Sequence, residues 1–392
     1  MTSHRYFDGV FDAEEIAAGI ARWAGIESPS YEPEAVNLMM DEASQALSSL
    51  GASIMRHPGE HGFGDVVIAR LSPSNRQGSA GAEHGSPIMI LGHLDTVHDL
   101  GTTTSSLPVR REDDKLYGPG VQDMKGGVFL AVHAVSKLIE LRGNLRAPIT
   151  FMLIPDEEVG SPSTRALIEQ EARKCRCVLV PEPAHDRKLV TGRHAFLRYR
   201  LRTFGQPAHA GVARGVGRSA IAVMAKLIGE IEGFSDIDRE ITYRVGVVQG
   251  GRFVNVIATE CFSEVLCVAP NAAAFEEVRA RMKTLKSPDP AVRLEVEPGP
   301  VRPLFQAPPG TLELLQVAQG VGKAIGLELG HGQFGGGSDG NFTGALGIPT
   351  LDGLGVVGAG LHTKNEHILV AELVPRARLL TGVIEALSER NH

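Results

Sequence analysis

The chain has 392 residues, a formal net charge of -7, and 43% hydrophobic against 22% charged residues. That length exceeds one ordinary core and predicts two domains, with the composition of a soluble globular protein. The acidic balance, with no basic run to offset it, argues against nucleic acid or an anionic membrane as a partner. No stretch approaches 18 consecutive apolar residues, so no membrane span is expected. The start, Met1-Thr2-Ser3-His4-Arg5-Tyr6-Phe7-Asp8, lacks the apolar core of a secretory signal. The four cysteines, Cys175, Cys177, Cys261 and Cys267, read as buried reduced thiols rather than a metal pair, and the expected compartment is the cytoplasm.

A helix is expected first, with Asp12 as N-cap, Glu15 three residues on, and Ile16, Ile20 and Trp23 at helical spacing. A second covers residues 34–50 and stops at Gly51, a fitting C-terminal glycine. Strands then alternate with helices: residues 66–69 and 87–92 are strand-like, 126–141 helical, 149–154 and 178–180 strands again. Residues 72–86, rich in Ser and Gly, read as a mobile surface loop.

The rhythm changes near Thr191. Residues 196–204, 243–249, 261–269 and 292–296 read as strands, with helices over 218–231 and 273–285. That is a β-α-β-β-α-β unit of about a hundred residues, the ferredoxin-like arrangement. After Pro303 the helix-then-strand rhythm resumes. The expected class is α/β: a discontinuous catalytic domain, residues 1–192 and 303–392, with a mixed sheet flanked by helices. A smaller domain at 193–302 interrupts it.

Five short motifs carry the chemistry: His93-Leu94-Asp95, Asp123-Met124-Lys125-Gly126-Gly127, Asp156-Glu157-Glu158, Pro181-Glu182-Pro183 and His362-Thr363-Lys364-Asn365-Glu366. Each of the first four follows an apolar stretch, which places it where a buried strand should end. Carboxylates and imidazoles gathered at the strand ends of one sheet suit a pair of divalent metals. In this reading His93 and Glu182 hold one ion, Glu158 and His362 the other, and Asp123 bridges both. Asp95, two residues after His93, is placed to bond the far imidazole nitrogen and fix its tautomer. Glu157 adjoins a ligand but points away from it on an extended segment, which makes it the candidate general base for the water between the metals. Any one of these residues alone would read as a helix cap or a surface charge; only the ordered set points to metal chemistry.

The motifs resemble the two-metal hydrolases that include bacterial glutamate carboxypeptidase, aminoacylase, acetylornithine deacetylase and succinyl-diaminopimelate desuccinylase. The resemblance spans nearly the whole chain. It is strongest to the glutamate carboxypeptidase branch through Gly118-Pro119-Gly120-Val121-Gln122-Asp123-Met124-Lys125-Gly126-Gly127, Gly335-Gly336-Gly337-Ser338-Asp339 and Gly347-Ile348-Pro349-Thr350. It implies the same roles for His93, Asp95, Asp123, Glu157, Glu158, Glu182 and His362, a cis peptide after Asp123, and a homodimer formed through the inserted domain. It further implies that His209, in Pro207-Ala208-His209-Ala210-Gly211, reaches the partner subunit's site as an oxyanion donor. Asn255 matches a substrate-binding asparagine, and Arg302 an arginine that grips a substrate carboxylate. Gly336 and Gly337 suit a backbone-lined wall of the substrate pocket; a phosphate loop would need a Gly-Lys-Ser/Thr that does not follow.

The chain departs from that branch at Leu266-Cys267-Val268, where the branch commonly has Asp-Val-Arg, and at Ala258-Thr259 in place of Pro-Asp. The loss of a basic group predicts a poor match to C-terminal glutamate and a better one to an apolar or aromatic acid. The expected activity is therefore hydrolysis of a C–N bond beside a free carboxylate in a small-molecule substrate, of the carboxypeptidase or N-acyl-amino-acid amidohydrolase type. A hydroxide bridging two divalent ions attacks, with Glu157 as base. Zinc is the first choice of ion, and manganese or cobalt would also suit the oxygen-rich ligand set. The alternative keeps the site and removes an amino group from an aromatic acid, the 5-nitroanthranilate aminohydrolase type. A non-catalytic binding protein would have lost a ligand or the base, and here every such position is filled.

Overall fold

Alternation along the central strands sends successive side chains into two different cores. Val67, Ala69, Ile88, Ile90, Phe151, Leu153 and Leu179 join one hydrophobic cluster, while Val66, Ile68, Met89, Leu91, Met152, Ile154 and Val178 join another. A strand buried on both faces reads as a near-continuous apolar run, which is why residues 88–92 and 149–154 carry no polar alternation. The computed structural model describes residues 7–73, 85–211 and 215–390, so most of the loop expected at 72–86 lies outside the described residues.

The chain divides into two compact units: Met1–Gly192 with Gln306–Gln333 and Ser338–His392, and Arg193–Phe305 with Phe334–Gly337. In the first unit the central sheet has the order Ser53–His57, Val66–Leu71, Ile149–Ile154, Ile88–His93, Cys177–Leu179, Thr350–Leu351. The first two pairings are antiparallel; those of Ile88–His93 with Ile149–Ile154 and with Cys177–Leu179 are parallel, as is Thr350–Leu351 with Cys177–Leu179. Helices Ala13–Ala24 and Leu373–Ser388 pack against Lys125–Arg142 over the larger cluster, and Arg165–Ala172 and Gly340–Ala345 meet over the other. The expected mixed sheet flanked by helices is thus present. No helix among the described residues is long and apolar enough to cross a membrane.

Local signals held where they were strongest. Asp12 caps Ala13–Ala24, accepting from the Glu14 and Glu15 amides at 2.7 and 3.3 Å. Gly51 sits at φ 87 just past Pro33–Ser49. Strand Ser53–His57 and a small sheet of Gly358–Ala359, His367–Leu369, Lys115–Tyr117 and Arg110–Glu112 lie outside the elements expected above. Most of these segments are three residues or fewer, or largely exposed, and carry too few apolar positions to show a period.

The second unit is a four-stranded antiparallel sheet, ordered Thr242–Gly250, Glu260–Ala269, Ala195–Phe204, Arg293–Arg302. Helices Ala220–Glu232 and Ala272–Thr284 complete the β-α-β-β-α-β order and cover its core. Phe334–Gly337 also belongs to this unit, although the helix-then-strand rhythm assigns it to the other. The His194 amide donates to the Phe334 carbonyl at 3.0 Å, and the Arg193 guanidinium to the Gly336 carbonyl at 3.0 Å. Such pairing across the sequence leaves no periodic trace.

All four cysteines are free, and Cys177, Cys261 and Cys267 are buried. Burial pushes the Cys175, Cys177 and Cys267 thiols up to about 12 and raises Cys261 as well. Thiolate is the reactive form, so the native protein at pH 8 should react only slowly with a disulfide reagent, and all four thiols should react promptly in denaturant. Any promptly reacting native thiol would contradict this. Because the folded pKa values lie above the unfolded ones, the linked stability is complete below about pH 9 and is lost as pH rises toward about 12.

Candidate active site

Three parallel strands deliver their carboxyl ends to one place. His93 ends Ile88–His93, Asp156-Glu157-Glu158 follows Ile149–Ile154, and Glu182 comes three residues after Cys177–Leu179. Ligand sites in open α/β sheets form at such ends. The expectation that Asp123 also ends a buried strand is not met. It lies on a turn before helix Lys125–Arg142, three residues past Gly120 at φ 71. The Asp123–Met124 peptide bond is cis, as the family resemblance implies.

The glycine pair after Asp123 has a steric reason. A Cβ on Gly126 would stand 2.0 Å from the Val121 carbonyl oxygen, and one on Gly127 only 1.8 Å from that of Pro181. Bare backbone at both positions lets the helix start close to the segment that carries Glu182. The Glu182 segment is itself held by the chain opposite: Leu354 donates to the Val180 carbonyl at 3.2 Å and Gly355 to the Glu182 carbonyl at 2.8 Å.

Asp123 lies between two imidazoles. Its Oδ1 is 3.1 Å from His93 Nε2 and its Oδ2 3.2 Å from His362 Nε2. Glu182 Oε1 is 3.8 Å from His93 Nε2, and Glu158 Oε2 is 3.1 Å from His362 Nε2. Two groups of candidate metal ligands result, His93–Asp123–Glu182 and Asp123–Glu158–His362, which share the aspartate. His362 sits at φ 59 on a turn closed by Thr363, whose amide and hydroxyl both donate to the Gly360 carbonyl at 3.0 and 2.8 Å.

The electrostatics of the cluster fit divalent cations. Burial alone would raise the Asp123 carboxyl, but His362 and His93 hold it well below the usual carboxylate range. Burial would lower His93, yet its bonds to Asp123 and Asp95 keep it well above its ordinary value. Hydrogen bonds to Asp123 and Glu158 hold His362 up at about 11, and burial with the Asp123 charge pushes Glu158 up to about 8. Five ligand groups at these distances are held together by shared protons, and a dication in their place satisfies the same lone pairs.

A model of the peptidase family M20/M25/M40 matches residues 89–386. The chain belongs to this family. Carboxypeptidase G2 of Pseudomonas sp. (strain RS-16) is 30% identical over 368 residues, covering 91% of this chain and 85% of the relative. Aminopeptidase PepT from Bacillus cereus ATCC 10987 shares the fold at TM-score 0.73 and 23% identity, over 97% of this chain and 100% of that one. The Bacillus subtilis YXEP protein, described as a dinuclear metal binding peptidase, aligns at TM-score 0.65 and 16% identity, over 96% and 98%. As an M20 member the chain is a metal-linked hydrolase acting on amide or peptide bonds.

Within this M20 site Asp95 has more partners than its spacing suggests. His93 Nδ1 bonds the Asp95 carbonyl at 3.1 Å and lies 3.3 Å from its Oδ1; Oδ1 and Oδ2 each accept at 3.2 Å from the Glu157 and Glu158 amides, and the Ser30 hydroxyl donates to Oδ2 at 2.6 Å. Glu157 is not on an extended segment: Glu157–Val159 is a turn of 3₁₀ helix. Neighbouring side chains on such a turn diverge by about 120° rather than 180°.

Sequence reading missed Glu366. Its buried carboxylate accepts from the Gly120, Gln122 and Asp123 amides at 3.1, 2.9 and 3.1 Å and lies 2.8 Å from His98 Nε2. The signal was present, since Glu366 closes the last motif, but its function is to grip backbone 243 residues away. Lys125 is likewise fully buried, with its ammonium 2.5 Å from the Ile26 carbonyl.

The remaining candidates lie in the second unit. His209 is exposed and its Nδ1 accepts from the Gly211 amide at 3.2 Å, which leaves the ring proton on Nε2. The Asn255 carbonyl accepts from Ala210 at 3.0 Å, so the His209 and Asn255 segments are paired. Arg302 is buried, and a Cβ on Gly337 would stand 2.9 Å from its Cδ. Gly336 is fixed by Arg193 as described above.

Two substitutions test how the site is held. Glu366→Gln keeps the shape but puts an amide group against backbone donors; it should cost about 2–4 kcal/mol of unfolding free energy and weaken metal retention. Denaturant unfolding and metal analysis read both effects, and an unchanged protein would remove the anchoring role. Gly127→Ala should drive the Pro181 carbonyl away, lowering stability by about 1–3 kcal/mol with loss of bound metal; full metal content in a folded variant would show that the close approach is dispensable.

Proposed function

We propose that the chain hydrolyses an amide bond beside a free carboxylate, as a carboxypeptidase or N-acyl-amino-acid amidohydrolase, using two divalent ions, zinc before manganese or cobalt. The observation that carries this reading is Asp123, with one oxygen toward His93 and the other toward His362. His93 and Glu182 would hold one ion, Glu158 and His362 the other, and Asp123 both. Ions held there would supply Lewis-acid polarisation of the scissile carbonyl and lower the pKa of a bound water toward ~7.

The other steps belong to side chains of this protein. Glu157 takes the proton of the attacking water and returns it to the departing nitrogen. Asp95 holds the His93 ring at Nδ1 through its carbonyl, with Oδ1 beside it, and the Glu157 turn through its carboxylate, so one residue orients a ligand and the base. His209 donates Nε2–H to the oxyanion of the partner subunit's tetrahedral intermediate, an effect worth about 3 kcal/mol. Arg302 pairs with the substrate carboxylate, and Asn255 with the Gly336 and Gly337 backbone orients the rest. A homodimer in the cytoplasm fits this arrangement. Support for the dimer is the number of exposed apolar side chains on the second unit, Val247, Val248, Phe253, Val254 and Val256, with Val254 fully exposed.

The strand Glu260–Ala269 buries Cys267 in the second unit's core, with Leu266 and Val268 only half-buried. No basic side chain stands at these positions, although the register sets Arg198 and Arg244 opposite Leu266; a substrate with one carboxylate and an apolar remainder is read from the sequence departure alone. Metal-loaded protein should release an amino acid from N-acyl or dipeptide substrates. Glu157→Ala should abolish turnover with two metals retained; loss of metal as well would overturn its assignment as base. Release of ammonia from aminobenzoic acids alone would replace this reading with ring aminohydrolysis.

A further inference from the structure

One cavity in the first unit borders the metal cluster without belonging to it. It encloses about 530 Å³ and is lined in part by Tyr31, Val97, Leu100 and Val159, with Glu158 among its walls. That volume is in the range of small-molecule pockets. Its apolar groups are unusually open: Tyr31 is 72%, Leu100 54% and Val97 42% exposed. Large apolar side chains left exposed around a concavity beside reactive groups mark a binding surface.

The wall is also pre-organised. Glu27 accepts from the Gly101 and Thr103 amides, both at 2.7 Å, and so pins the turn after Leu100. His98, between Val97 and Asp99, turns away from the cavity to Glu366 at 2.8 Å. Tyr31 lies against Phe63 with ring centroids 5.9 Å apart, and the adjoining Ser30 bonds Asp95. These contacts hold the apolar groups in place before any ligand arrives, which reduces the ordering cost of binding.

Charge narrows the ligand. The charged residues of the lining are Glu32, Asp99 and Glu158, and among the lining residues there is no lysine or arginine. With Glu158 taken up by an ion, the like charges that an anionic acyl tail would meet in this cavity are those of Glu32 and Asp99. We propose that this pocket takes the acyl group of the substrate and selects an uncharged, apolar or aromatic acyl group over an anionic one such as succinyl. The proposal rests on the amide-hydrolase reading above, in which the carboxylate end of the substrate already has Arg302 and the acyl end has no residue assigned to it.

The test compares N-benzoyl-leucine with N-succinyl-leucine, which share a leaving group. Wild-type protein should favour the benzoyl compound by roughly tenfold or more in kcat/KM. Leu100→Lys should lower that preference chiefly by raising KM for the benzoyl compound, and Asp99→Lys by lowering KM for the succinyl compound. Wild-type preference for succinyl, or a ratio that neither variant moves, overturns the proposal. Calorimetric titration of both compounds into metal-loaded Glu157→Ala needs no turnover and separates the two ideas. If no amide is hydrolysed by the wild type, the proposed function fails. The pocket then stands if N-benzoyl-leucine binds and the added Leu100→Lys change weakens it, and falls if it does not bind or the change has no effect.

Discussion

Asp123 has to be held with its two carboxylate oxygens facing two different imidazoles, and much of the first unit serves that one geometry. A carboxylate largely withdrawn from water costs free energy unless its lone pairs are met, so the demand propagates outward. The aspartate sits on a turn whose amides are gripped by Glu366, and its helix can start there only because Gly126 and Gly127 have no side chains. The imidazoles arrive from opposite parts of the chain, one at the end of a central strand and one on a tight turn in a left-handed conformation.

Carboxylates, rather than cations, do most of the anchoring around this centre. Asp95 accepts from two amides and a hydroxyl, Asp156 from the Ser163 amide and the Ser163 and Thr164 hydroxyls, and Glu27 from two amides and the Thr103 hydroxyl. Charge-assisted bonds of this kind are stronger than neutral ones. They also concentrate negative charge near the cluster, which favours divalent ions there and disfavours anionic ligands beside it.

Glu366 links the cluster and the pocket beside it. It grips the turn that ends in Asp123 and also holds His98, whose neighbours Val97 and Asp99 line the adjacent pocket. The segment Val97–Leu100 therefore takes its position from the same carboxylate that sets the aspartate. A change in one would be felt in the other, because they share a rigid point of attachment.

The α/β class, the ferredoxin-like unit and the ordered histidine and acidic motifs were legible in the sequence by itself. Burial on one or both faces imposes a local period, and capping, glycine stops and short motifs are likewise local. Tertiary structure alone decided that Asp123 sits on a turn rather than at a strand end, that Glu157 stands on a 3₁₀ turn, and that Phe334–Gly337 joins the second unit. It also decided what Glu366 holds and that a pocket lies beside Glu158. Each depends on groups far apart in the chain, as when His362 meets Asp123 across 239 residues. Hydrogen bonds and packing over such separations leave no period to read, so only the folded chain reveals them.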